Sequence, residues 1–415
     1  MESRYREYLK YFQIEDEDYT LIPITNSHIN DTYCVQDSKG DNRYIIQHIN
    51  SYVFPYPEKV MENMVLVTKY IQKKCEVSEK KLISDNLDNS AKSRETLRLI
   101  STKDGKSHLE IEGKHIRMFD YIQDAYSCDR IRSPEEFRQV AVAIARFHKL
   151  LSDIDVERLH ITIPDFHNTP KRLEGFKKVV EEDPKGRAKR VREEIDFILQ
   201  RENLAKSFEG KIIKSQNTKN PGLTDCKDMD EIDGLKLRVT HNDTKPANVM
   251  LDKHTGKALC MIDLDTVMPG VICDDFGDAI RSGACKIREE GIQEARIEGI
   301  QEEREDILQR CGKTTNSYPP ESGIYESKRE YTYFDKELYD VFYEAFIEEC
   351  KDFLTPTEIE MLPVGAMKIT YEQALRFLED YLKGDVYFKV TDEEQNLRRA
   401  RVQMNLLKEM EEALR

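Results

Sequence analysis

From Arg238 to Asp265 the chain reads RVTHNDTKPANVMLDKHTGKALCMIDLD, and the polar residues of this stretch have types and spacing suited to chemistry. A short apolar strand signal leads into His241, Asp243, Lys245 and Asn248 on a tight polar loop. Two apolar runs follow, 248–251 and 258–262, joined by Lys253-His254-Thr255-Gly256-Lys257, a hairpin signal with glycine in its loop. The second run ends in Asp263 and Asp265. Asp243 can take the proton of an attacking hydroxyl. Asn248 and Asp263 are hard oxygen donors of the kind Mg²⁺ requires when it is held against nucleotide phosphates. A carboxylate base, an amide in the pattern H-x-D-x-x-x-x-N and a second carboxylate closing the next hairpin form the apparatus of phosphoryl transfer. A capped turn, with Asp243 bonding nearby backbone N–H groups, would explain His-x-Asp alone. The conjunction of loop spacing with an acid at the end of the hairpin favours the phosphoryl-transfer reading. Lys245 is the local cation for phosphoryl charge or a solvated loop lysine. Asp265 can serve either the metal or the acceptor.

Farther on stands a literal Asp275-Phe276-Gly277, the kinase metal motif in protein kinases. It follows the Pro269-Gly270 turn, whereas Asp263 ends the apolar hairpin directly. Asp263 is therefore the expected metal ligand, and Asp275 is read as a helix cap or a brace for the catalytic loop.

HNDTKPANVML followed by ALCMIDLDTVMPG resembles the aminoglycoside phosphotransferase-like kinases, and within them the N-acetylhexosamine 1-kinase group. The likeness extends to SHINDTY (27–33), YIIQHIN (44–50), RMFDYI (117–122), TIPDFHNTP (162–170) and RFLEDYLKGDVYFK (376–389). It implies an α+β, protein-kinase-like fold with a small antiparallel-sheet lobe and a larger, mostly helical one. The implied division is residues 1–119 covering the nucleotide, a hinge at 120–124, and 125–415 for catalysis and acceptor binding, with an insert at about 286–330. ATP would be the donor, Mg²⁺ the cofactor and a sugar the acceptor. The resemblance also implies adenine pairing with backbone groups of Asp120, Tyr121 and Ile122, and sugar contacts from His28, Asn30 and Arg376. For His28 and Asn30 a hydrogen-bonded turn is the alternative. Two departures stand out. Thr25 and Ser27 replace the glycines usual in the first hairpin, which weakens backbone donation to phosphate. The third strand offers Gln47 and His48 where protein kinases carry a lysine, and the subgroup resembled lacks that lysine too. The missing glycines leave a non-catalytic nucleotide-binding protein as a competing reading. A kinase of another small alcohol is a second competitor.

The surrounding elements must hold these groups in place. Residues 3–12 pattern as a helix, 19–24, 32–36, 44–47, 96–101 and 116–121 as strands, and 58–70 as a helix followed by a polar insert at 73–92. Ser133-Pro134-Glu135-Glu136 starts a helix with cap, proline and dipole-facing acids; on its apolar face His148 is expected to pack at the core edge. Residues 171–208 read as charged helix, 207–233 as a polar loop, 286–310 as a charged helix, 314–329 as a turn-rich tract, and 335–353 and 356–415 as amphipathic helices. The formal charge of −15 over 415 residues disfavours nucleic acid and anionic membrane as partners. No stretch approaches the roughly 18 uninterrupted apolar residues of a membrane span. The N-terminal residues carry no apolar leader pattern and the nine cysteines form no Cys-x-x-Cys pair, so a reducing cytoplasm is expected.

Overall fold

A computed structural model describes residues 2–15, 18–24, 29–82, 94–128, 130–213, 233–285 and 333–414. Expectations for residues 25–28 (His28 included), 83–93, 214–232 and 286–332 lie outside the described residues. The chain is α+β. An antiparallel five-stranded sheet has the order β1 (Thr20–Pro23), β2 (Asp31–Gln36), β3 (Asn42–His48), β5 (Lys114–Asp120), β4 (Leu109–Ile111). Alternation gives this sheet two chemically different faces. On one, Leu21, Val35, Ile46, Ile116 and Met118 are buried against Tyr5, Tyr8 and Leu9 of α1 (Glu2–Leu9) and against Phe12. On the other lie Thr32, Gln47 and Arg117, paired directly across three strands.

Residues 96–101 do not form a regular strand. They touch β5 through a bridge at Leu99–Phe119 and through Ile100 N–H to Met118 O and Asp120 N–H to Arg98 O. The reason is that β4 occupies the rest of the same β5 edge, at His115 and its neighbours. Helix α2 runs over Pro57–Leu82, so the polar tract expected as an insert from residue 73 is helical through 82.

The rest of the first compact unit (Met1–Phe166, Ile212–Asp275, Val341–Ile359) carries the polar stretch 238–265. Here α3 (Pro134–Leu151) begins as its sequence demands, with Ser133 Oγ accepting from Glu136 N–H at 3.2 Å. It packs on a sheet of β6 (Ala125–Ser127), β10 (Val249–Asp252) and β11 (Ala258–Met261). Strands β7 (Ile212–Ile213) and β8 (Leu235–Lys236) pair in parallel, and β9 (Arg238–Thr240) pairs with β12 (Met268–Gly270). Helices α7 (Ile272–Gly283) and α8 (Lys336–Cys350) follow in the described chain.

The second unit (His167–Lys211, Phe276–Asp340, Glu360–Arg415) is helical. Its core joins Leu173, Phe176, Ile195 and Ile198 to Tyr371, Leu378 and Leu407, contributed by α4 (Thr169–Glu182), α5 (Arg192–Leu199), α9 (Pro356–Lys383) and α10 (Gln395–Ala413), with the short α6 (Glu202–Ala205) alongside in sequence. The single helix expected over 171–208 is broken after Glu182. Asp183 takes a left-handed conformation (φ 38°) and Pro184 cannot continue a helix. Asp183 Oδ1 then accepts from Arg187 and Ala188 N–H at 2.8 and 3.0 Å, starting the chain in a new direction. Among the described residues no helix is long and apolar enough to cross a membrane.

Candidate active site

Strand β9 delivers the chain into the loop 241–248, and the antiparallel pair β10–β11 brings it back beside its own start. Ile262 N–H donates to Asn248 O at 2.8 Å, so Asp263 emerges next to the loop. The His241 ring ties the two arms together: Nε2 donates to Ile262 O at 2.9 Å and Nδ1 accepts from Asp243 N–H at 3.3 Å. A second tie comes from Thr266, whose hydroxyl donates to His241 O at 2.6 Å and whose carbonyl accepts from Asn242 Nδ2 at 2.9 Å.

Asp275, fully buried in the first turn of α7, braces this loop from behind. Its carboxylate accepts from His241 N–H and Asn242 N–H, both at 2.7 Å, and lies 3.0 Å from His148 Nε2. Burial works against its charge, but the His148 contact, His241 and the backbone donor outweigh burial and hold its carboxyl below the usual range. His148 is buried, as expected, yet it is also a polar partner, which its place on an apolar helix face concealed. The glycine of the literal motif has a packing reason in the second unit. A Cβ on Gly277 would lie 2.5 Å from Gly365 O, so α7 and α9 approach there only because the side chain is absent.

Asp243, Lys245 and Asn248 converge. Asn248 Nδ2 donates to Asp243 O and Oδ2, both at 2.9 Å, and Lys245 Nζ lies 3.4 Å from the same Oδ2. Burial would raise the Asp243 carboxyl, but Lys245, His241 and Asn248 lower it on balance, so the group is held ionised. Among the described residues nothing donates to Asp243 Oδ1. With its nitrogen committed to Asp243, the Asn248 side chain has Oδ1 left as a ligand.

Asp263 is the contrasting acid. It stands in a left-handed conformation (φ 61°, ψ 54°) at the head of the turn Leu264–Thr266. Burial, then the carboxylates of Asp265 and Asp243, push its carboxyl up to about 7 against the pull of Lys245 and Arg117. Among the described residues no donor reaches it. This donor set fits Mg²⁺, which takes one or two protein oxygens and completes its shell with phosphate and water. It does not fit a closed protein site, since no three His, Cys, Asp or Glu side chains cluster for a metal among the described residues.

The remaining expected site residues are placed as follows. Asn30 is buried with its amide turned to the protein: Nδ2 donates to Asp265 Oδ2 at 2.7 Å, and Oδ1 accepts from Asn50 N–H at 3.0 Å. Of the hinge residues, Asp120 and Tyr121 spend their N–H groups on Arg98 O and Arg43 O, both at 2.9 Å. Ile122 is the one of the three whose N–H meets no backbone acceptor among the described residues. Arg376 belongs to the second unit, on α9, where it bonds Gln373 Oε1 at 3.0 Å and lies over the Phe388 and Tyr387 rings.

Sequence reasoning missed Arg117, which is 1% exposed and forms a two-pronged pair with Asp265. One arginine inside the apolar strand HIRMF was the available signal, because a buried guanidinium demands a partner.

Chains of known structure share this architecture. An aminoglycoside phosphotransferase from Alicyclobacillus acidocaldarius superposes with a TM-score of 0.53 at 11% identity, over 97% of this chain and 94% of that one. Spectinomycin phosphotransferase APH(9)-Ia, solved with ADP and spectinomycin, gives 0.52 at 11% identity over 99% and 97%. Likeness at this identity establishes the protein-kinase-like fold. The sequence profile of the phosphotransferase enzyme family (APH) matches residues 20–308, and the chain belongs to that family.

Proposed function

We propose that this protein transfers the γ-phosphoryl group of ATP, with Mg²⁺, to the anomeric hydroxyl of an N-acetylhexosamine, giving a sugar 1-phosphate. The observation that carries the phosphoryl-transfer reading is the Asp243 carboxylate, with one oxygen fixed by Asn248 and Lys245 and the other open. Asp243 orients the acceptor hydroxyl and takes its proton as the new P–O bond forms, a role worth roughly 10²–10⁴ in rate. Lys245 offsets charge on the transferring group. Asn248 Oδ1 and Asp263 would hold Mg²⁺, which when bound would neutralise phosphate charge. Ile122 N–H is the hinge donor suited to adenine.

The sugar acceptor rests on the sequence likeness in SHINDTY, TIPDFHNTP and RFLEDYLKGDVYFK, in which His28 and Arg376 are the neutral and basic groups to face hydroxyls. Asn30 is left out of this set, since its amide is engaged by Asp265 and Asn50. Any site that hydrogen-bonds a sugar's hydroxyls discriminates against analogues that leave its donors unpaired. The test is a screen of free sugars with Mg-ATP, reading ADP release and the position of the new phosphate. A methyl glycoside blocked at C1 should not react, while a 6-deoxy sugar should. Equal phosphorylation of the methyl glycoside would overturn the anomeric assignment; turnover of amino alcohols or aminoglycosides alone would move the acceptor class.

A further inference from the structure

The third strand of the sheet carries Gln47 where protein kinases present a phosphate-binding lysine. Gln47 is not idle: its Oε1 accepts from Arg117 Nε at 3.0 Å and Nη2 at 2.8 Å, and its Nε2 donates to Thr32 Oγ1 at 3.0 Å. These three residues are direct cross-strand partners, so the sheet register itself aims the guanidinium. The far edge of Arg117 meets both oxygens of Asp265, Nη1 to Oδ1 and Nη2 to Oδ2 at 3.0 Å. Asn30 adds a third bond to Oδ2. Both partners of the ion pair are buried, at 1% and 2% exposure.

We propose, on the kinase reading above, that Asp265 contacts neither metal nor acceptor and is a positioning residue, clamped by Arg117 so that Asp263 is held ready for the metal. Three donors already occupy the Asp265 carboxylate, and turning it toward a ligand would strand a buried guanidinium. Its clamp lies within the short turn Leu264–Thr266 that Asp263 heads. The other end of that turn is fastened by Thr266 to His241 and Asn242. With both ends fixed, Asp263 keeps a left-handed backbone that a residue with a Cβ does not favour. Arg117 is suited to the role because a planar fork can grip two oxygens, which a lysine ammonium cannot. The cation that kinases place on the third strand to meet phosphate is here moved to the fifth, where it meets a protein carboxylate.

The test measures Mn²⁺ binding in the presence of ADP by electron paramagnetic resonance, alongside the KM for the acceptor. Asp265→Asn should weaken Mn²⁺ binding about 10–100-fold, the usual cost of removing a group that orients a ligand, with acceptor KM within about twofold of wild type. Arg117→Lys keeps the charge and loses the fork; it should shift Mn²⁺ binding in the same direction, and it serves as the reading if Asp265→Asn does not fold. Unchanged Mn²⁺ binding in both variants overturns the proposal, as does a raised acceptor KM with normal Mn²⁺ binding. A loss as complete as that of Asp263→Ala would make Asp265 itself a ligand and overturn it too. If the wild-type protein binds no Mn²⁺ with ADP, the kinase reading falls, and this inference with it.

Discussion

Replacing Asp275 and Asp263 in turn should separate an acid that holds the fold from an acid that waits for a cation. Asp275 accepts two buried backbone N–H groups at 2.7 Å and faces His148 Nε2 at 3.0 Å. Hydrogen bonds to a charged group contribute about 1.5–3 kcal/mol each, and removing one partner of a buried pair costs about 3–5 kcal/mol. These figures describe overlapping effects, so Asp275→Ala should lose about 4 kcal/mol rather than their sum. At about 1 °C per kcal/mol for a chain of 415 residues, the melting temperature should fall by roughly 5 °C. Asp263 has the opposite balance. Its carboxyl is raised from 3.8 to about 7 by burial and by the Asp265 and Asp243 carboxylates. A raised carboxyl costs nothing below its unfolded value, costs progressively more as pH rises between the two values, and is fully unfavourable above about 7. The whole shift corresponds to about 4 kcal/mol, and screening of a partly exposed group reduces it to about 1–2 kcal/mol. Asp263→Asn should therefore stabilise the metal-free protein at pH 8, and the gain should vanish below pH 4. Thermal and urea melts in EDTA, with Mn²⁺ titrations of the same samples, read both sides. A stable Asp275→Ala that has lost metal, beside a destabilised Asp263→Asn, would show that the roles are reversed.

Asp243→Asn should lower kcat by roughly 10²–10⁴ while Mg-ATP affinity stays near wild type, as measured by turnover and by calorimetric titration; retention of near-normal kcat would remove Asp243 from the mechanism. In the second unit, Glu372 is 2% exposed and meets His167 Nδ1 at 3.1 Å, Thr169 Oγ1 at 2.5 Å and Arg172 Nε at 3.5 Å. Burial would raise its carboxyl, but His167, Lys368 and Arg172 overrule that and hold it well below the usual range. Such a group stabilises the fold above the unfolded value of about 4.3 and loses that contribution as pH falls toward the folded value. Glu372→Gln should thus cost about 2 kcal/mol at pH 7, with the gap to wild type starting to narrow below about pH 4 and closing only as pH approaches the folded value; a gap that ignores pH in urea melts would refute the ionic account.

The convergence of Asp243, Lys245 and Asn248 was legible in the sequence because it depends on local spacing. Asp243 and Asn248 share one turn, and a hairpin of ordinary length returns Asp263 to them. What was hidden depends on partners remote in sequence. Nothing near Arg117 announces Asp265, and nothing near His148 announces Asp275. The Gly277 of the literal Asp-Phe-Gly acquires its reason only when α9 is set against it in space. The break after Glu182 is a different case: Asp183-Pro184-Lys185-Gly186 is a turn signal in plain view, outweighed in reading by the charged helical pattern on either side. The division of the β5 edge between β4 and residues 98–100 could not be read locally, because edge pairing is decided by whichever segment reaches the free N–H and C=O groups.

Four aspartates gather around this loop, and what each carboxylate accepts decides its work. Asp275 receives backbone N–H groups and a histidine and serves the loop's shape. Asp265 receives a guanidinium and an amide and serves the turn. Asp243 receives an amide and an ammonium on one oxygen only, which keeps it charged and leaves the other oxygen open for the proposed acceptor hydroxyl. Asp263 receives no donor among the described residues, and its neighbours repel its charge. An acid in that position is costly to the empty protein, and on the proposed function a divalent ion bound with a nucleotide would reverse the cost. The one acid of the four without a donor among the described residues is thus the one whose proposed function is to bind a cation, while each of its three neighbours is paired within the fold.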